Sequence, residues 1–453
     1  MSSPPVCLAV ILTALSLVAG RCNAQQAAAV AEERFVIPDD AALPGEGPMR
    51  RYDWFQNVWR NRRTTFQANR DAKQGAVVFL GDSITQGWGD DFRGALPSVS
   101  KANRGISGDT TRGMLSRLDQ DVLQLDPAAV VLLMGTNDLE EGAEPETIAG
   151  NVQRIVQALK QHDPKMPIVL CEVFPSSSEK ARPADKIKQI NQLYRDLAKG
   201  DPQITVLDTW TLFADDSGNA KAAEFPDLLH PNAKGYAKWE AALRPILATL
   251  GFADTEPDDF EYEPDAIRLF NGEDLTGWEY RRTPDAMRAA RQRWLARSPG
   301  AVHWPLVDQK QSFDGMRATP DGRYVAINGR LVVTTPPQGR SIQQLWTADD
   351  FDQDFQLLLE FRATPNADSG VFIRGQQLQC RDYLLAGPYK DLKHYRPGDW
   401  NQLEITVRGT NAHSTCNGEV LETSMEVPAE GPIGLEGDRG QVEYRRIRLR
   451  PLD

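Results

Sequence analysis

The stretch Ala76-Val77-Val78-Phe79-Leu80-Gly81-Asp82-Ser83-Ile84-Thr85-Gln86-Gly87 decides the fold of the first half of the chain. Its opening apolar run, Ala76 to Leu80, is too continuous for a strand with one wet face. Such a run suits a strand buried on both sides, as in a parallel sheet covered by helices. Ala129-Val130-Val131-Leu132-Leu133-Met134, Pro167-Ile168-Val169-Leu170 and the segment from Gln203 to Leu207 read the same way. Between them Ile148, Val152, Ile155, Val156 and Leu159 recur at helical spacing, as do Ile187, Ile190, Leu193, Tyr194 and Leu197. Strands alternating with helices predict an α/β three-layer domain over residues 51–250. Ser83 then falls at the carboxyl end of a parallel strand, where such sheets open their crevice. From this segment alone, a serine that only caps a helix is the plain alternative.

Beyond this domain the style of the sequence changes. Asp254 to Asp265 places seven acids among twelve residues with two prolines, which predicts a solvated linker over 251–264. After it, Phe355, Leu357, Leu359 and Phe361 alternate with polar neighbours, and Leu403, Ile405 and Val407 do the same. Asn328-Gly329 and Asn417-Gly418 sit between extended segments and suit tight hairpins. Residues 265–453 therefore predict an antiparallel β-sandwich, and the run from Tyr444 to Arg450 reads as a solvated strand face. The stretch from Thr283 to Thr319 breaks the rhythm and reads as an insertion, with a helical pattern around Met287 to Ala296.

At the other end, Cys7 to Gly20 is apolar but short for a membrane span. It matches the core of a secretory signal over 1–24, with cleavage near Ala24 and a linker over 25–50. Lipoprotein processing at Cys22 fits less well, because Arg21 stands where a small residue is needed. The expected location is periplasmic or secreted, and no second apolar run could serve as a transmembrane span.

The 453 residues favour two or three domains. The 63 acidic residues outnumber the 51 basic ones, and that balance repels phosphate backbones, so nucleic acid is not an expected partner. Five cysteines are too few for a disulfide framework. If Cys7 and Cys22 leave with the signal, Cys380 and Cys416 could pair, or they and Cys171 could all be packed thiols. His162, His230, His303, His394 and His413 are scattered without metal-ligand spacing, and no glycine-rich phosphate loop occurs.

Three more segments carry candidate chemistry. In Asn103-Arg104-Gly105-Ile106-Ser107-Gly108 a glycine lets the backbone approach a ligand closely. Gly135-Thr136-Asn137-Asp138 ends a strand, so Asn137 can donate to a developing oxyanion or merely cap a turn. Asp227-Leu228-Leu229-His230-Pro231-Asn232 precedes an amphipathic helix running to about Leu250. Its three-residue spacing lets the carboxylate hold the imidazole in one tautomer, as a serine's base requires.

Together, in this order, the four segments resemble the four blocks of the SGNH hydrolase (GDSL-like esterase) superfamily, over roughly Arg51 to Leu250. The opening Gly-Asp-Ser-Ile-Thr-Gln-Gly-Trp resembles the branch of platelet-activating-factor acetylhydrolase-like and carbohydrate acetyl esterases. The resemblance implies a flavodoxin-like fold and a reaction without metal or cofactor. It implies Ser83 as nucleophile, His230 as its base and Asp227 as the orienting acid. The oxyanion hole it implies consists of the Ser83 and Gly105 backbone N–H groups with the Asn137 side chain.

The second half carries Leu269-Phe270-Asn271-Gly272-Glu273-Asp274-Leu275-Thr276-Gly277-Trp278, then Asp368-Ser369-Gly370-Val371-Phe372-Ile373-Arg374 and Gly398-Asp399-Trp400-Asn401. These resemble the 3-keto-disaccharide hydrolase domain family, whose concanavalin-like sandwich acts on or binds sugars. Gln377 stands where that family commonly has a glutamate, and Asp438-Arg439 where it has His-Gly. Lacking those acid–base candidates, the half reads as a glycan-binding module. Trp346, Trp400 and Tyr389 are stacking candidates, each with a core reading beside it, and Asp368 and Arg374 could bond sugar hydroxyls or pair with each other. The substrate implied is an acylated carbohydrate or another small ester, with O-acetyl groups favoured. A lipid esterase, a bifunctional enzyme with a sugar-cleaving second half, and an idle glycan-binding protein are the alternatives.

Overall fold

The computed structural model describes residues 35–298, 305–334, 342–381 and 388–452. The expected signal, Cys22 and the first part of the leading linker lie outside the described residues. In the first domain, β1 (Val77–Gly81), β2 (Lys101–Gly105), β3 (Ala129–Leu133), β4 (Ile168–Cys171) and β5 (Ile204–Leu207) form one parallel sheet. Their order is β2-β1-β3-β4-β5, with every pair parallel. Around it run α1 (Asp53–Ala68), α2 (Ser83–Gly87), α3 (Thr111–Asp121), α4 (Thr136–Glu140), α5 (Pro145–His162), α6 (Ala184–Ala198), α7 (Thr209–Phe213) and α8 (Ala233–Thr249).

The continuous apolar strands follow from two cores. Val78 and Leu80 of β1 pack with Met114 and Leu118 of α3, Ile148 and Val152 of α5 and Ile187 of α6. Val77 and Phe79 face the other way, onto Trp88, Phe92 and the Trp239 and Leu243 side chains of α8. A fully buried aliphatic or phenylalanine side chain contributes about 1.5–3 kcal/mol, so neither face tolerates a polar alternation. The strand order reverses between β1 and β3, and there a doubly wound sheet opens its binding crevice. Ser83 and Asn137 follow those two strands directly.

The second domain contains β6 (Ile267–Arg268), β7 (Trp278–Tyr280), β8 (Gln311–Ser312), β9 (Tyr324–Ile327), β10 (Arg330–Val333), β11 (Gln343–Thr347) and β12 (Phe355–Ala363). It continues with β13 (Asp368–Ile373), β14 (Gln376–Arg381), β15 (Asn401–Arg408), β16 (Asn411–Cys416), β17 (Glu419–Glu426), β18 (Ile433–Gly437) and β19 (Val442–Pro451). One antiparallel sheet runs β17-β16-β15-β12-β19-β10-β9 with β6 on β19, and the other runs β14-β13-β18-β11-β7-β8. Leu357, Leu359 and Phe361 from the first sheet meet Val371, Leu435 and Leu345 from the second in a single core. Both Asn-Gly pairs form two-residue hairpins, with φ of +45° and +74° at Asn328 and Gly329 and +49° and +80° at Asn417 and Gly418. The insertion carries α9 (Asp285–Arg297), which buries no residue. Cys171, Cys380 and Cys416 are unpaired and buried. No helix of the described residues is long and apolar enough to cross a membrane.

One expectation requires correction here. The arginine run of β19 is not a solvated face, because the acidic stretch, itself largely exposed from Thr255 to Asp265, lies along it. Asp258 pairs with Arg446 at 3.3 Å, Glu263 with Arg448 at 2.6 Å and Asp265 with Arg450 at 3.4 Å. Phe260 lies beneath the Arg446 and Arg448 guanidinium groups, 4.4 and 5.0 Å from its ring centre. A row of arginines on one strand repels itself unless anions lie beside it, and the neighbouring acid run supplies them. At the domain junction, Asp254 accepts from Arg362 at 2.8 Å and lies 3.3 Å from Arg330 and 3.5 Å from Arg244. Gln441 Nε2 donates to the Pro245 carbonyl at 2.8 Å and to Thr249 Oγ1 at 2.7 Å, both near the end of α8.

Candidate active site

Close approach of backbone shapes the site. A Cβ on Gly81 would lie 2.0 Å from Thr85 Oγ1 and 2.8 Å from the Leu133 carbonyl. Only glycine lets β1 end there and turn at once into α2. Asp82 caps that helix, its carboxylate accepting from the Ile84 N–H at 2.9 Å, and Ser83 is the first helical residue. From the opposite wall, the loop before α8 turns at Leu228, whose φ is +59°. This turn lets Asp227 Oδ1 accept from the N–H groups of Leu229 at 3.1 Å and His230 at 2.7 Å. Asp227 Oδ2 lies 2.7 Å from His230 Nδ1, and His230 Nε2 lies 2.9 Å from Ser83 Oγ.

Partial burial works to raise the Asp227 pKa, but hydrogen bonds from the His230 backbone and ring and from the Leu229 backbone hold it at about 2. An ionised carboxylate only accepts, so Nδ1 carries the imidazole proton and Nε2 is left to accept from the Ser83 hydroxyl. That tautomer can take the serine proton.

Asn137 is buried at the start of α4. Its Nδ2 donates to the Asp109 carbonyl at 2.9 Å, and its Oδ1 accepts from Arg182 Nη2 at 3.2 Å. The guanidinium therefore fixes which way the amide faces. Arg182 is itself buried and donates to the Thr136 carbonyl and Oγ1, both at 3.0 Å, to the Lys180 carbonyl at 2.6 Å and to Glu140 at 2.8 Å. Nothing local in the sequence marks it, since it lies in the loop before α6 with no periodic or motif context.

The glycine expected as an oxyanion donor is corrected by its neighbours. The Gly105 N–H donates to Asn103 Oδ1 at 2.9 Å and is already occupied. The close approach of Gly105 serves packing instead, since a Cβ there would lie 2.2 Å from the Gln86 nitrogen. Gly108 lies beyond it, at φ +85°, beside the Asp109 whose carbonyl holds Asn137. Among the described residues its N–H has no hydrogen-bond partner. The cue within the sequence was the Gly-Asp pair at 108–109, which echoes Gly-Asp at 81–82.

Beneath these groups lie three buried carboxylates. Burial pushes Asp82 and Asp138 up to about 6, despite the N–H of Ile84 on one and the Thr111 hydroxyl and N–H on the other. Asp109 is also pushed up by burial, against the pull of Arg117, whose Nε donates to it at 2.8 Å. Arg117 also bonds the Gly81 and Arg104 carbonyls, at 3.2 and 2.9 Å, and so ties the ends of β1 and β2 to α3.

The second-domain candidates do not converge. Arg374 Nη1 donates to the Gly409 carbonyl at 2.7 Å and the Pro428 carbonyl at 3.2 Å, while Nη2 donates to Gln353 at 2.6 Å. That guanidinium stitches loops together, and its residue sits at φ +51°. Trp400 lies between the Arg362 and Arg445 guanidinium groups, at 4.6 and 4.0 Å, and Tyr389 is in the core. Asp368 pairs with Arg381 at 3.0 Å and Arg439 at 3.5 Å. Trp346 is on the other sheet from Trp400, half-buried against Phe372. Next to it Glu436 accepts from Gln344 at 3.1 Å and from Gln377, and burial raises its pKa to about 7. A carboxylate is therefore present beside Gln377, contributed by the adjacent part of the sheet.

Residues 79–238 match the GDSL-like lipase/acylhydrolase family model, and residues 265–450 match the 3-keto-alpha-glucoside-1,2-lyase-like domain. Platelet-activating factor acetylhydrolase IB subunit alpha2 of Homo sapiens is 30% identical over 195 residues, which cover 42% of this chain and 84% of the relative. The chain belongs to the GDSL-like lipase/acylhydrolase family. The alpha1 subunit of Mus musculus is 29% identical over 214 residues, 46% of this chain and 91% of the relative. A GDSL-like lipase of Bacteroides thetaiotaomicron is similar in structure, with a TM-score of 0.38 and 25% identity over 41% of this chain and 97% of that one. As a GDSL-like acylhydrolase, the chain is a hydrolase acting on ester bonds, joined to a sugar-related β-sandwich.

Proposed function

We propose that the protein is an exported serine esterase that removes acyl groups, O-acetyl above all, from carbohydrate. The observation that carries the catalytic part is the unbroken chain from Asp227 through His230 to Ser83, with bonds of 2.7 and 2.9 Å. Ser83 attacks the ester carbonyl while His230 takes its proton, and Asp227 stabilises the imidazolium that forms. His230 returns the proton to the leaving alcohol, and water then cleaves the acyl-enzyme by the reverse sequence. The tetrahedral oxyanion is received by the backbone N–H groups of Ser83 and Gly108 and by the second N–H of Asn137. Removing one such donor typically costs about 10²–10³ in kcat. Gly105 is not among them, because its N–H is already spent on Asn103.

The carbohydrate preference is supported by the fused 3-keto-alpha-glucoside-1,2-lyase-like domain, and export by the apolar run from Cys7 to Gly20. The test is hydrolysis of p-nitrophenyl acetate by the full chain and by its Ser83→Ala variant, followed by acetylated sugars and esters of longer acyl chains. Turnover by the wild type alone supports the mechanism. Equal rates for both proteins remove Ser83 from it. Faster cleavage of butyryl and longer esters than of acetyl esters would move the substrate toward lipid.

A further inference from the structure

The N-terminal strap, residues 35–52, is pinned across the carboxyl edge of the sheet. Thr110 Oγ1 donates to the Pro48 carbonyl at 2.8 Å, Arg112 to Gly47 at 3.0 Å, and Asn151 exchanges bonds of 3.0 and 2.7 Å with the Glu46 backbone. Arg50 anchors its end, bonding Glu141 at 2.7 Å and also Glu140, the carboxylate that Arg182 holds beside Asn137. This anchoring brings Trp54 against Gly108, next to the Asp109 whose carbonyl holds Asn137.

Trp54 is 48% exposed, whereas Trp59 and Trp239 are 1% and 0%. Leaving an indole in water forfeits the burial that its size would otherwise provide. The ring is nonetheless held firmly. Tyr52 stacks on it at 6.3 Å and 10°, Phe55 meets it edge-on at 5.8 Å, and the Arg50 guanidinium lies 5.8 Å from its centre. Its far edge rests on Gly108, where a Cβ would lie 2.5 Å from Trp54 Cη2 and 3.1 Å from Arg50 Nη1. A half-exposed aromatic face therefore adjoins Gly108, the glycine proposed above as an oxyanion donor.

We propose that Trp54, backed by Tyr52, is the subsite on which the pyranose ring of the ester's alcohol part stacks while its acyl group lies at Ser83. This inference rests on the esterase reading above and names how that site selects its substrate. A pyranose has one apolar C–H face and a rim of hydroxyls. Trp54 offers the flat apolar surface, and the Tyr52 hydroxyl and Glu141 offer polar partners around it. An alkyl chain would gain the ring but make no use of the polar groups around it. A choline-type cation finds the indole already engaged by the Arg50 guanidinium.

The test compares wild type, Trp54→Ala and Trp54→Phe on p-nitrophenyl acetate and on methyl 6-O-acetyl-glucoside. Trp54→Ala is expected to lower kcat/KM for the sugar ester about tenfold more than for the phenyl ester, chiefly through KM, and Trp54→Phe to recover most of that difference. A parallel titration follows the indole fluorescence of Ser83→Ala with methyl glucoside, with Ser83→Ala/Trp54→Phe as the comparison. Saturable quenching lost in the double variant supports the subsite whether or not the esterase turns over. Equal losses on the two esters, no quenching, or a KM effect confined to a choline phospholipid ester overturns it. An active Ser83→Ala protein would instead overturn the reading on which the inference rests.

Discussion

Arg182→Met should slow ester hydrolysis through Asn137 alone. The guanidinium donates to Asn137 Oδ1 at 3.2 Å, and that bond keeps the amide from rotating its oxygen toward the oxyanion. A hydrogen bond from a charged donor contributes about 1.5–3 kcal/mol, or roughly 10- to 100-fold at 1.4 kcal/mol per decade. The Asp109 carbonyl still holds Asn137 Nδ2 at 2.9 Å in the variant, which places the expected loss in kcat nearer the tenfold end. Asn137→Ala sets the ceiling, at about 10²–10³. The assay is kcat for p-nitrophenyl acetate in the wild type, both single variants and the double variant, well below their melting temperatures. The double variant should be no slower than Asn137→Ala. If its loss equals the product of the two single losses, Arg182 acts through the fold and the argument fails. Arg182→Lys is the companion variant. It keeps the charge but lacks the fork that reaches Thr136, Asn137 and Glu140 together, so it should recover only part of the rate.

Asp227→Asn should cut kcat about 10⁴-fold at neutral pH with KM little moved, because an amide no longer enforces the Nδ1–H tautomer. A loss below tenfold would sink the assignment. Gly108→Ala should lower stability by more than about 1 kcal/mol, since the residue sits at φ +85° against Trp54; an unchanged calorimetric midpoint would show that the strap yields easily. Asp82 and Asp138 keep their protons up to about pH 6 in the folded chain but lose them near 3.8 when unfolded. The folded state then binds more protons between those values, so their share of stability is present near pH 4 and falls as pH rises through 6. Melting temperature measured from pH 4.5 to 7 should fall less steeply in Asp82→Asn. The Asp227 share has the opposite sign, in place above pH 3.8 and lost as pH drops toward 2.

Elements whose cause is local could be read from the sequence. Ala76 to Leu80 had to be a strand because nothing polar interrupts it, and Asn-Gly had to turn because both residues accept positive φ. The Asp227–His230 pair was legible because three residues of chain suffice to close it. Arg182 was not, since its meaning lies entirely in Thr136, Asn137 and Glu140, which are more than forty positions away. The choice between Gly105 and Gly108 turned on a side-chain oxygen of Asn103, which spacing cannot place. The pairing of the acidic stretch with the β19 arginines could not be read, because the two stand about 190 residues apart.

The junction on α8 has a consequence for reach. Pro245 sits inside that helix, its carbonyl taken by Gln441, while Asp254 gathers arginines from both halves. A module on a loose tether sweeps a sphere around its partner, and its local concentration falls with the length of the tether. Here the tether is stapled down along β19, and the sandwich has no such sphere. Whatever the sandwich holds would then keep a set distance from Ser83.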